Sequence, residues 1–445
     1  MEYRSRMRFA VMAGLGLVIT AIVLFRDHPT EKETRSRAPS ERRSASSAVS
    51  QGTEIRQDSF PRLRRLPGPP ESAEEIVAAK LVQFSGNRRR LMNLLARRAG
   101  KTIPPEVDRY FDALERGHWE EAERIFAELH RRHENPAGPA DEDLYAIWRP
   151  IQETEGIQSE ARHWPAEQLL AYGSKVLGSL KPDMVFIGGT DPGAFINTFL
   201  NETSEGEQRI MFTQNALADS SYIDYLNAIY GERLQLPEKT DQDAALKRYI
   251  DDISSRAAHD RDFPDEPKQV RPGENLAVVD GKPQVSGQGA VMGINELLLN
   301  RLLELNPDKS FALEESASFK STYLDAALLG PVMELRAGNE SKLTPDSAAK
   351  AVEAWRSNTR ELLDGTTETD AYPRQAWSHM AMAQANLLME RNFPAEAEEI
   401  LLLARQLKPD NFEAVNRLIE LYRSAGRERD AERVFAESES KQVGR

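Results

Sequence analysis

Whatever chemistry this sequence can do rests on a glycine-rich turn and four carboxylates. Gly188, Gly189 and Thr190 follow the apolar run Met184–Ile187 and precede Asp191-Pro192. Backbone N–H groups at such a strand-to-helix turn suit a phosphate, sulfate or carboxylate. Asp191, Asp219, Glu314 and Glu315 stand where strands are expected to end. Paired carboxylates can act as general acid and base on a glycosidic bond, or hold a divalent cation. Gln214 and Asn215 close a second apolar run, Arg209–Phe212, and complete the candidate ligand-binding set. Each acid also has a plain structural role, Asp191 and Asp219 as helix caps, Glu314 and Glu315 as solvated turn residues. No Gly-x-Ser-x-Gly elbow, Walker loop or His-Glu-x-x-His is present, so no catalytic residue is singled out.

The elements that would position these residues follow from patterning. Met184–Ile187 ends at two glycines, the mark of a buried strand. Asp191 is placed to cap a helix with Pro192 in its first position. Arg209–Phe212 gives a second strand, and Asp219 or Ser220 caps a helix over Tyr222–Tyr230. Polar groups thus collect where strands end and helices begin, the usual ligand position of an open α/β sheet. Thr240 caps a long helix to about Ala258. Leu276–Val279 and Gln284–Ser286 flank Asp280-Gly281-Lys282-Pro283, which suggests a hairpin or a paired edge. Ala290–Leu305 is an apolar helix, and Phe311–Leu313 and Val332–Leu335 are strands. Residues 140–340 are therefore expected to form an α/β domain, with a mostly parallel sheet and helices on both faces.

Gly287-Gln-Gly289-Ala-Val-Met-Gly293 imitates a dinucleotide-binding fingerprint, with Glu314 at about the distance of a ribose-binding acid. Its third glycine is one residue late, and the strand before it looks like half a hairpin. The favoured reading is close packing of a helix, and no cofactor is expected.

The segment Lys181–Gly193 followed by Phe212–Tyr225 resembles the extracytoplasmic soluble domain of uncharacterised bacterial membrane proteins related to protein O-mannosyltransferases. The resemblance covers roughly residues 140–340 and assigns no catalytic residue. The related transferases bind lipid-linked sugar within a multi-helix membrane domain, which these 445 residues do not contain. Transferase activity is not implied.

Helices are expected on both flanks. In residues 73–136, Val77, Leu81 and Phe84 have helical spacing, and Glu106–Arg116 and His118–Arg132 form a hairpin broken at Gly117. Small Ala122 followed by Phe126 resembles the second helix of a tetratricopeptide repeat. His130 and His133 end that helix without clearly spaced partners for a metal. Pro136-Ala-Gly-Pro139 then breaks the chain. In residues 344–440, Thr344 caps Pro345–Leu363, with Gly365 past its end. Ala397, Leu401 and Pro409 mark one unit, and Ala431 and Phe435 recur 34 residues after Ala397 and Leu401. With Tyr422 in the first helix, this resembles the tetratricopeptide repeat. Such repeats commonly hold a protein or peptide in a groove, and two of them need a docking partner to bury a core.

Composition narrows the function classes. The net charge is −13, which argues against nucleic acid as a partner. The absence of cysteine excludes disulfides, thiolate metal sites and cysteine nucleophiles. Residues 1–8 are a basic tail, and Phe9–Phe25 is an uncharged run at the short end of a membrane span. It stops at Arg26-Asp27 without a small-residue cleavage site, so an uncleaved anchor is favoured over a signal peptide. Residues 26–72 are poor in apolar side chains and expected to be a disordered linker. Arginines flank the run on both sides, and the family resemblance points the soluble part to the periplasmic side of a bacterial inner membrane.

Two functions remain open. One is a membrane-tethered scaffold whose repeats hold a protein or peptide, with an α/β domain for a small polar or carbohydrate ligand. The other is a carbohydrate-active enzyme using the acidic loops.

Overall fold

In the computed structural model, residues 72–134, 141–206, 208–279, 281–315, 326–335, 343–364 and 371–443 are described. The stretches expected to be a basic tail, a membrane anchor and nearly all of a linker, with Pro136–Pro139 and Gly365, lie outside them. In chain order the elements are α1 (Ala73–Ala99), α2 (Pro105–Glu115), α3 (Trp119–His133), α4 (Glu142–His163), α5 (Ala166–Ser179) and β1 (Val185–Gly188). Then come α6 (Asp191–Glu202), β2 (Met211–Thr213), α7 (Ser220–Tyr230), α8 (Lys239–Asp262), β3 (Asn275–Val279), β4 (Lys282–Ser286) and α9 (Gln288–Leu305). The chain continues with β5 (Phe311–Leu313), β6 (Ala327–Leu329), β7 (Val332–Leu335), α10 (Pro345–Asp364), α11 (Ala371–Glu390), α12 (Pro394–Leu407), α13 (Phe412–Ser424) and α14 (Glu428–Val443). No described helix is long and apolar enough to cross a membrane.

The chain divides into two compact units, one containing Lys247–Val291 and the other Phe60–Leu246 with Met292–Arg445. In the smaller unit β3 and β4 form the expected antiparallel hairpin, with Gly281 left-handed at its turn. The glycine-rich stretch therefore follows a hairpin strand and not the buried parallel strand that a dinucleotide site requires. Glu274 is held at about 2: burial opposes ionisation, but Arg256, Tyr249 and the Arg271 N–H all bond its carboxylate.

The larger unit contains a five-stranded sheet in the order β2-β1-β5-β7-β6. β1 pairs parallel with β2 and β5, while β7 pairs antiparallel with β5 and β6. The sheet is therefore mixed, not mostly parallel. Gly330, left-handed at φ 57°, turns the chain straight from β6 into β7, and a tight turn can only join antiparallel neighbours. Register puts Phe186, Met211 and Ala312 on one face. That face shares a core with Tyr172 and Val176 of α5, Phe199 of α6 and Met380 of α11. Val185, Ile187, Phe311 and Leu313 point the other way and are also buried.

A second core joins α1–α3 to the first half of α4, through Phe111, Ala122, Leu129, Ile147 and Trp148. Buried Arg88 of α1 links the two regions, bonding Glu153 of α4 at 2.5 Å and Glu202 of α6 at 2.7 Å. Among the described residues no group of acids and histidines could hold a metal. His133 stacks on Trp148 at 4.3 Å, and burial lowers it to about 4.

Three helical hairpins turn in the same way. Gly117, Asn392 and Gly426 are all left-handed, with φ of 73°, 67° and 69°. The next N–H bonds five residues back each time, His118 to Ala113, Phe393 to Leu388 and Arg427 to Tyr422, at 2.8 Å. Five residues after each left-handed position comes a buried alanine: Ala122, Ala397 and Ala431. Leu401 and Tyr422 are buried with them, while Phe126 is partly buried and stacks on Trp148 at 5.6 Å. Two expected core residues are not in the core. Pro409 is exposed in the turn after α12, where its ring ends the helix. Phe435 is half exposed, because Val434 takes the inward position one step earlier on α14.

Candidate functional site

The turn after β1 does bind a carboxylate, and the carboxylate is the chain's own. Glu314, the residue following β5, is completely buried. Its Oε2 accepts the N–H groups of Gly189 at 3.0 Å and Thr190 at 3.1 Å. Its Oε1 accepts the Thr190 hydroxyl at 2.7 Å and the Tyr172 hydroxyl at 2.9 Å. The N-terminus of α6 thus has its anion already, as helix electrostatics favour. Burial and the neighbouring Glu315 push Glu314 up, against the pull of those donors. Glycine at 193 is required by this contact, since a Cβ there would lie 1.5 Å from Glu314 Oε2. The solvated-turn role expected for Glu314 is corrected: β5 runs beside β1 and delivers the residue after its last rung into the interior.

The helix cap also moves by one residue. Thr190, extended at φ −110°, accepts the Gly193 N–H at 3.1 Å. Asp191 is the first helical residue and Pro192 the second, so Asp191 does not cap. Half-buried, Asp191 is pushed up to about 6 by burial. Gly189 is not left-handed. It is small because a Cβ would meet the Glu315 carbonyl at 2.5 Å. Gly188 has the same reason, Ala194 of α6 standing 2.8 Å away.

Asp219 caps α7, accepting the Ser221 N–H at 2.8 Å, and is ion-paired with Arg149. Asn215 donates to the Gly189 carbonyl at 2.7 Å, and Gln214 to the Glu315 carbonyl at 2.6 Å. The loop after β2 is itself pinned by Asn295, which bonds Asn215 and Ala218. The structure thus brings Gly188–Asp191, Gln214, Asn215, Glu314 and Glu315 together at the carboxyl ends of β1, β2 and β5. Asp219 is engaged with Arg149 instead.

Other residues complete the site, and nothing in their spacing marks them. Glu160, buried near the end of α4, accepts from Trp164 and Tyr372, each at 2.9 Å. Burial, with smaller contributions from Asp191 and Glu314, raises it to about 8 despite those donors. Glu315 faces His379 of α11 at 3.6 Å. His379 is raised overall: its burial is outweighed by Glu315. Burial and Glu315 push up Glu413 of α13. In sequence these residues look like ordinary polar positions on amphipathic helices.

Comparison with family models, curated proteins and solved structures returns no match.

Proposed function

We propose that this chain is a membrane-tethered, periplasm-facing scaffold whose helical hairpins, read as tetratricopeptide repeats, hold a protein or peptide. In this reading residues 9–25 are the tether, and the sheet-end loops contact a small polar or carbohydrate ligand or part of the partner. The observation that carries it is the state of the acids that glycosidic chemistry would need. Glu314 is bonded to helix N–H groups and Asp219 is a cap paired with Arg149, so neither is free to serve a reaction. Exposed Leu402, Phe412 and Phe435 on α12, α13 and α14 offer apolar contact area. The test is site-specific photo-crosslinking in the full chain in its membrane, with a photoreactive residue replacing Phe412 or Phe435. The same discrete protein or peptide adduct is expected from both positions and not from exposed Val278. Adducts that are identical at Val278, or missing at both phenylalanines, sink the scaffold reading.

A second reading is a carbohydrate-active enzyme, favoured by one observation. Asp191 near 6 and Glu160 near 8 lie in the range useful for acid–base catalysis. Sugar release from polysaccharide that disappears in a folded Asp191→Asn chain would establish it.

A further inference from the structure

The hairpin of the smaller unit has two edges, and they are not alike. Only two residues separate Val279 from Lys282, so β3 and β4 close on a hydrogen-bonded pair. Hydrogen-bonded and non-hydrogen-bonded pairs alternate along an antiparallel ladder. Ala277–Gln284 and Asn275–Ser286 are therefore of the first kind, and Val278–Pro283 and Leu276–Val285 of the second. In the second kind the backbone N–H and C=O groups point away from the partner strand, towards the outer edges. The β4 edge is blocked there. Pro283 has no N–H to offer, and Val285, the next outward residue, is buried.

The β3 edge has no such protection. The outward N–H and C=O groups of Leu276 and Val278 meet no partner among the described residues. Val278 is 71% and Val279 43% exposed, with Ala277 exposed between Leu276 and Val278. Native edges are blunted with proline, charge or a bulge, because an open row of N–H and C=O groups is a template for another strand. From Asn275 to Val279 there is no proline, no charge and no break in register.

We propose that β3 pairs antiparallel with β3 of a second copy of this chain, joining two hairpins into a four-stranded sheet about a two-fold axis. The outward groups fix the register. Leu276 and Val278 must make the new hydrogen-bonded pairs, and overlap of the whole strand then sets Leu276 of one copy opposite Val278 of the other, twice by symmetry. Ala277 meets Ala277 on the axis, and Asn275 meets Val279. The strand is complementary to itself in this register: Leu–Val pairs add apolar contact, and no like charges face each other although each chain carries −13. A second copy fits better than an unrelated peptide. Each copy has one open edge and one blocked edge, so pairing satisfies both open edges at once and stops at two chains. An added peptide would expose a new open edge of its own. One strand pair is small beside the roughly 1,200–2,000 Å² of standard interfaces, so the dimer should be weak in free solution. The inference does not depend on the scaffold reading.

The experiment is cysteine cross-linking of the full chain in detergent under mild oxidation with diamide, which is clean because the chain has no cysteine of its own. Directly opposed residues of a non-hydrogen-bonded pair have Cα atoms about 4.5 Å apart, within the roughly 4.4–6.8 Å that a disulfide spans. Ala277→Cys is expected to give a disulfide dimer whose yield rises with protein concentration and is several-fold above that of Asn275→Cys. In the proposed register the two copies of position 275 lie at opposite ends of the paired strands. Adding Val278→Pro to Ala277→Cys removes an outward N–H without touching the bonds between β3 and β4, and should abolish the dimer at unchanged melting temperature. Val278→Lys keeps the backbone, charges the edge and should act alike, so the test stands if the proline variant does not fold. A photoreactive residue at Val278 should capture a second copy, at twice the chain mass. Equal dimer yields from positions 275 and 277 would mean random collision and overturn the proposal. So would a dimer that survives both Val278 changes, an Ala277→Cys chain that stays monomeric at every concentration, or capture of a different protein at Val278.

Discussion

At the scale of the residue, the centre of this protein is a carboxylate inside a helix N-terminus. Glu314 has four donors, two of them backbone N–H groups, and Gly193 leaves it room. Gly193→Ala should therefore destabilise by more than about 3 kcal/mol, the upper end of ordinary overpacking. The same change in a Glu314→Ala background should cost much less, because the clash is removed. Urea denaturation of the two single variants and the double variant checks this, and simple additivity would refute it. Glu160 gives a pH prediction. Its folded value near 8 lies above the unfolded value of 4.5, so the folded state binds the extra proton between those limits. The stability it contributes is fully present below about 4.5 and is lost as pH rises through 8. Glu160→Gln keeps an acceptor for Trp164 and Tyr372 but cannot ionise. The decline in melting temperature from pH 5 to pH 8.5 should be visibly shallower in that variant than in the parent chain.

At the scale of the element, the three hairpins rest on one backbone device, a left-handed residue followed five positions later by a buried alanine. Gly426 meets nothing within 4 Å of where a Cβ would lie, so substitution there tests conformation alone. Gly426→Ala should cost about 1 kcal/mol, because an alanine resists positive φ. Gly426→Asn should cost clearly less, since asparagine tolerates that region and Asn392 already occupies the equivalent turn. Thermal melts of the two variants measure the difference, and equal losses would show that the turn does not depend on φ.

At the scale of the whole molecule, tether and orientation are the properties to test. With the soluble part facing the periplasm, protease added to spheroplasts should cut between Arg26 and Ser72 and release a soluble fragment. Protection of that stretch would reverse the proposed orientation.

Much of the architecture was legible in the residues. Phe311–Leu313 and Val332–Leu335 are strands at the positions that their patterning predicts, because a short buried strand is largely apolar on both faces, with Glu334 the exception, paired with Lys181. The 34-residue recurrence of small residues is visible because helices approach closely only where side chains are small. β6 was not foreseen. Ala327–Leu329 has no β-branched residue, and it pairs only because Gly330 folds it back on β7. The tertiary structure alone decided the character of the site. The turn at Gly188–Thr190 signals an anion, but sequence patterning does not tell whether that anion comes from solvent or from 125 residues further along the chain. Cross-strand neighbours determine this, and β5 happens to run beside β1. The acids that remain, Asp191, Glu160, Glu315 and Glu413, come from four separate segments. Burial by the whole fold sets their electrostatics, and local sequence contains no trace of it.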